Sequence, residues 1–174
     1  MIRFILPALL FLLFIIESTW FQIFFPPSSG DAYVLVPRFT LIIVVLAGIY
    51  RGPFQAVLLG VAVGALYDFV FIDIIGIYMF SFGFTAYISS FTMYSIRESY
   101  GWQMLILIGA IFIFEWMTYG FYYVIGYTDI IFEEFFVTRL LPSLILNGLA
   151  AMLFLIPVKK MILQMDSYED LKQR

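Results

Sequence analysis

Four charged residues lie inside long apolar stretches of this chain: Glu17, Arg38, Glu115 and Arg139. An ionised side chain at membrane depth is costly unless paired, so each marks a position where chemistry or assembly is built in. Two carboxylates and two guanidiniums at similar depth predict one ion-paired cluster, which offsets much of their desolvation. The other reading has both arginines reaching to the outer headgroups while each glutamate faces its own polar pocket. A proton relay is a third, and the core stretches supply neither His nor Lys to carry it. The sequence contains no Cys and no His, which excludes Ser–His and Cys–His nucleophilic catalysis and Cys or His metal sites. An intramembrane enzyme would have to run on carboxylates or lysine. Glu17 and Glu115 are the acidic pair it would use, and each has an arginine within reach as a partner.

The elements that must position these residues are six apolar stretches, which fill most of the 174 residues. The composition is 64% hydrophobic and 21% aromatic with 12% charged, too much apolar surface for a soluble domain of this size to bury. The spans run over approximately 4–25, 35–50, 54–70, 74–95, 102–125 and 135–156, with a cytoplasmic tail over 157–174. Each is near the roughly 20 residues that a spanning helix needs, and none alternates as a barrel strand does. The expected fold is an all-α integral membrane protein, a single bundle of six transmembrane helices in one domain over 1–174. The first stretch continues past Glu17 to Phe25 and is too long for a signal-peptide core, although Ser28 and Gly30 could imitate a cleavage site. Arg3, Arg51, Arg97, Lys159, Lys160, Lys172 and Arg174 fall on one side, and only Arg38 and Arg139 on the other. That bias predicts both termini in the cytoplasm. It places all four buried charges in the outer half of the membrane, Glu17 and Glu115 at depths of about 12 and 15 Å. The net charge of −3 and the lack of a basic patch leave no basis for nucleic-acid binding.

The third span carries a second pattern: Ala56, Gly60, Gly64 and Asp68 recur every four residues on one face. Small residues at that spacing let another backbone approach closely. The face serves either internal packing or a groove for a partner's single transmembrane helix. Pro142 and Asn147 in the sixth span are expected to bend and bond a bundle. Pro157 precedes Lys159-Lys160, which are read as a helix end anchored at the headgroups or as a short docking surface for a cytoplasmic partner.

In order, Pro37-Arg38, Arg51-Gly52-Pro53, Gly60-x-x-x-Gly64-x-x-x-Asp68, Gly76-Ile77-Tyr78, Arg139-x-x-Pro142, Asn147 and Pro157 before a basic end resemble the rod shape-determining MreD family. The resemblance covers essentially the whole chain. It implies a bacterial inner-membrane component of the cell-elongation machinery with no catalytic activity and no cofactor. It implies association with MreC, and with MreB, RodA and a class B penicillin-binding transpeptidase, to regulate lateral peptidoglycan synthesis. It also implies a fold similar to the substrate-binding component of energy-coupling-factor transporters. The rival reading is therefore a vitamin-type transporter subunit, with Tyr33, Trp116, Tyr119, Tyr122 and Tyr123 as pocket aromatics. On the favoured reading MreC docks against a small-residue face, the third span first, and the outer polar cluster fixes helix tilt.

Overall fold

The computed structural model describes residues 4–20, 33–71, 74–91 and 94–172, and among these the regular structure is entirely helical. Helix α1 covers Ile5–Ile15 and continues as a wide π turn over Ile16–Trp20. Next come α2 (Phe39–Arg51), α3 (Pro53–Phe71) and α4 (Ile77–Ser89). A short α5 (Tyr94–Glu98) leads into α6 (Tyr100–Ile125). A single turn, α7 (Phe132–Phe135), passes through a second π turn over Phe136–Leu140 into α8 (Leu141–Lys172). Three segments are long and apolar enough to cross a membrane: Pro53–Phe71, Tyr100–Ile125 and Phe132–Met165. The other three apolar helices, Ile5–Thr19, Phe39–Arg51 and Ile77–Ser89, are shorter.

The short α2 occupies the centre. Its residues from Thr40 through Tyr50 are all buried, and α1, α3, α4, α6 and α8 pack around it. A helix apolar on every side needs apolar surroundings on every side, from lipid or from protein, and for Leu41-Ile42-Ile43-Val44-Val45-Leu46 the protein supplies them. Its 13 residues span only about 20 Å, short of the roughly 30 Å hydrocarbon core. Its N-terminal N–H groups therefore lie inside the protein and need partners there.

At the other end Gly52 closes α2 at φ 93°, in the left-handed region, and Pro53 opens α3 where a missing N–H costs nothing. Arg51 is the last residue of α2.

Several expected boundaries move. The second span, expected from 35, begins with residues 33–38 in a non-helical segment, and the helix starts at Phe39. Pro37 disfavours helix at Val36, and the α8 side chains described below hold the extended form. The fourth span, expected over 74–95, is α4 followed by the separate α5. The sixth does not stop at Pro157, which sits within the continuous α8. An internal proline costs about 3 kcal/mol. Burial of Leu155, Val158, Ile162 and Met165 along one face holds the helix through it. Residues 21–25 of the first span, Ser28, Gly30, Arg3 and Arg174 lie outside the described residues.

Candidate functional site

The extended segment before α2 is bonded to the start of α8 at every second residue. Pro142 has no N–H, so the carbonyl of Thr138 has no donor four residues on; it accepts the Val34 N–H at 2.7 Å. Ser143 Oγ accepts the Val36 N–H at 3.2 Å. Asn147 then uses both ends of its amide. Its Oδ1 accepts the Arg38 N–H at 2.7 Å, and its Nδ2 donates to the carbonyls of Val36 and Ser143, each at 2.8 Å. Non-helical backbone at membrane depth survives only where protein groups satisfy it, and Ser143 and Asn147, both fully buried, do so.

This bonded segment delivers Arg38 into the interior, where it is 3% exposed. Its Nε donates to Glu115 Oε1 at 2.6 Å, and its Nη2 contacts the Tyr78 hydroxyl at 3.4 Å. The guanidinium carbon lies 4.9 Å from the Phe114 ring centroid and 5.3 Å from that of Tyr78. A charge-assisted hydrogen bond and two ring faces replace the water that burial removed. Arg139, on the second π turn, brings its Nε to 3.4 Å from the other Glu115 oxygen. That contact is an ion pair without hydrogen-bond geometry, and both atoms are buried with no hydrogen-bond partner.

Glu17 is not in the ion-paired cluster. Its Oε1 accepts the Thr40 N–H at 2.8 Å, and its Oε2 accepts the Thr40 hydroxyl at 2.9 Å and the Tyr67 hydroxyl. Arg38, the residue before α2, provides no side-chain cap; Glu17 supplies it from α1, satisfying one of the first N–H groups and facing the positive end of the helix. The same device starts α4. Asp68, fully buried on α3, accepts N–H groups from Gly76 (2.8 Å), Tyr78 (2.9 Å) and Met79 (3.0 Å). Gly76 makes this geometry possible at φ 119°. Both short helices thus start inside the bundle with a carboxylate from a neighbouring helix on their N-terminus. An Asp68→Asn change exchanges an ionised acceptor for an amide that aims donors at N–H groups. It should cost about 2 kcal/mol, read as a lowered Tm in detergent; a Tm within error of wild type would remove this capping role.

The two carboxylate sites are bridged by rings. Tyr67 stacks on Tyr78 at 5.4 Å between centroids, and Phe82 meets Phe114 edge-on at 4.6 Å. The four predicted charges therefore belong to one buried polar frame in two parts, Arg38–Glu115–Arg139 and Glu17–Thr40–Tyr67. Thr40, Tyr67 and Ser143 are not among the residues the sequence singles out, and Tyr78 enters there only as part of Gly76-Ile77-Tyr78. The available signal was a hydroxyl residue two positions after Arg38, one before Asp68, two after Gly76 and one after Pro142.

The small-residue face of α3 is occupied. Ala56, Gly60, Gly64 and Asp68 are all buried. A β-carbon on Gly60 would lie 3.0 Å from the Phe82 carbonyl oxygen, and one on Gly64 would lie 2.5 Å from both Met79 Cα and the Tyr78 carbonyl oxygen. The expected groove for a partner helix is corrected accordingly: α4 of the same chain fills it, because two glycines one turn apart let the backbones touch.

A second polar knot lies at the opposite end. The Gln103 amide, fully buried, donates to the carbonyls of Ile96 (3.1 Å) and Arg97 (2.7 Å) and accepts from the Tyr50 hydroxyl (3.0 Å). Lys159 also donates to the Arg97 carbonyl at 3.1 Å and stands 4.7 Å from the Tyr100 ring. These donors satisfy the C-terminal end of α5. Among the described residues no three acidic side chains converge as metal ligands would.

A frame of polar groups bonded largely to one another, with its charges used as caps and braces, describes a chain built to hold helices in fixed positions. The model of the family described as rod shape-determining protein MreD matches residues 2–165. The Rod shape-determining protein MreD of Bacillus subtilis (strain 168) is 27% identical over 157 residues, which cover 90% of this chain and 91% of that protein. No solved structure matches. With the family model matched along nearly its whole length, the chain belongs to the rod shape-determining MreD family.

Proposed function

We propose that this chain is a non-enzymatic membrane scaffold of the bacterial cell-elongation machinery, one that helps maintain rod shape by holding partner helices in register. The family assignment supports the role in cell shape. The observation that carries the scaffold reading is the polar frame, in which Glu17, Arg38, Asp68 and Glu115 each engage groups of this same chain. On this reading the six apolar segments cross the inner membrane as one domain, with both termini in the cytoplasm, as the Lys and Arg bias favours. The short α2 completes its crossing with the extended segment that Ser143 and Asn147 hold. MreC is the first partner, with MreB, RodA and a class B transpeptidase in the same assembly. The transporter reading needs space for a ligand between the helices; Tyr67, Tyr78, Phe82 and Phe114 pack ring against ring in that region.

Because α4 covers the α3 glycines, partner docking moves to a face that the described residues leave open. Leu141, Ile145, Met152 and Ile156 are exposed along α8, and a β-carbon on Gly148 between them would meet nothing within 4 Å. Small residues on such a seam permit close approach of a second helix. Gly148→Leu should therefore remove most of the MreC that co-purifies with tagged protein while leaving its abundance in the membrane unchanged. Undiminished MreC recovery would take this seam out of the proposal.

A further inference from the structure

Arg38 and Arg139 share one carboxylate, and they share it unequally. Arg38 is buried and holds the hydrogen bond to Glu115; Arg139 is 31% exposed and faces the second oxygen at 3.4 Å without one. No hydrogen bond engages the Nη groups of Arg139 among the described residues. A guanidinium presents its terminal N–H groups as a planar fork that matches two oxygens of a phosphate. Taken as a span, the Phe132–Met165 segment puts the Arg139 backbone below the headgroups and within reach of them. It lies seven residues into the Phe132–Met165 segment, about 10 Å along the axis from its start. Beside it Trp116 packs on Phe132 at 5.0 Å, Tyr119 stacks on Phe135 at 4.0 Å, and the Tyr119 hydroxyl donates to the Ile130 carbonyl at 2.8 Å. Amphipathic rings concentrate at headgroup level, and an arginine just below it extends toward the phosphates.

The charges around this arginine narrow the occupant. Asp129, Glu133 and Glu134 are exposed on the same connection, and no ion pair engages them among the described residues. A headgroup with net negative charge would meet these carboxylates; one carrying its own ammonium would be attracted by them. We propose that Arg139 and the acidic turn before it bind a phospholipid headgroup of the phosphoethanolamine class, the guanidinium taking the phosphodiester and Glu133 or Glu134 the ammonium. The site adjoins the internal frame through Arg139: its Nε faces Glu115, and its Nη groups are the ones left for the headgroup.

Native mass spectrometry of the full-length protein in detergent tests it, titrating phosphatidylethanolamine, phosphatidylglycerol and inorganic phosphate separately. The wild type should retain one phosphatidylethanolamine in preference to phosphatidylglycerol. Arg139→Gln should weaken that adduct at least about tenfold, the effect of losing a charge-assisted contact, and Arg139→Lys should weaken it less. The double change Glu133→Gln/Glu134→Gln, at exposed positions that leave the fold intact, should erase or reverse the headgroup preference even if Arg139→Gln assembles poorly. Equal retention of both lipids by the wild type, or an unchanged preference in the double variant, would overturn the headgroup assignment. Full displacement of the lipid by millimolar inorganic phosphate would assign the site to a free anion instead and overturn the lipid reading.

Discussion

Replacing Glu115 by glutamine should destabilise the folded chain by about 3–5 kcal/mol, the usual cost of removing one partner from a buried ion pair. The change leaves the Arg38 guanidinium, 3% exposed, without the carboxylate that balances it, and it also releases Arg139. Thermal unfolding in detergent should show a large drop in Tm, and the protein should fall in abundance in the membrane. The double variant Arg38→Met/Glu115→Gln should recover much of the loss, because the fully enclosed Arg38 charge goes with its partner and Arg139, 31% exposed, can turn outward. Recovery of that kind identifies the pair as a brace. If Glu115→Gln instead melts within about 1 kcal/mol of wild type, far below the expected cost, the bundle does not depend on the pair.

The second large effect is expected at Gly64. A leucine there places its first carbon 2.5 Å from Met79 Cα and the Tyr78 carbonyl oxygen, backbone atoms that no rotamer change can move aside. Helices α3 and α4 must separate. Overpacking typically costs about 1–3 kcal/mol, and a backbone clash of this kind falls at or beyond the upper end. Separation also draws the Tyr78 and Met79 N–H groups away from Asp68. Gly64→Leu should therefore yield little folded protein, whereas Gly148→Leu, where nothing stands within 4 Å, should fold normally and lose its partner. Were the two variants to exchange these phenotypes, the α3 face would be the docking surface after all.

The contrast shows what the sequence made legible. The six apolar segments recur as helices because hydrophobic runs report burial or lipid contact directly. The Arg38–Glu115 pair was foreseeable from desolvation, since a lone charge at that depth has few alternatives. Glu17 was assigned to the same cluster on the same ground, and there the argument ran short. Its partners are a backbone N–H and two hydroxyls, and nothing in Thr40 or Tyr67 marks them as acceptors' partners until the start of α2 is known. The helix starts four residues after the expected 35, because Pro37 is compatible with both a first helical turn and an extended segment. Asn147, Ser143 and the Thr138 carbonyl select the extended form from more than a hundred residues away. The spacing of Gly60 and Gly64 correctly announced close helix approach, but a glycine pattern carries no label for which helix approaches.

The scaffold reading stands most directly on what accompanies the protein out of its membrane. Tagged protein should be purified from native membranes and examined by mass spectrometry for proteins and small molecules together. The predicted result is MreC with elongation enzymes, and no small molecule at stoichiometric level. A bound vitamin accompanied by an ATPase module would contradict the account, and would turn the Arg38–Glu115–Arg139 brace into a candidate gate.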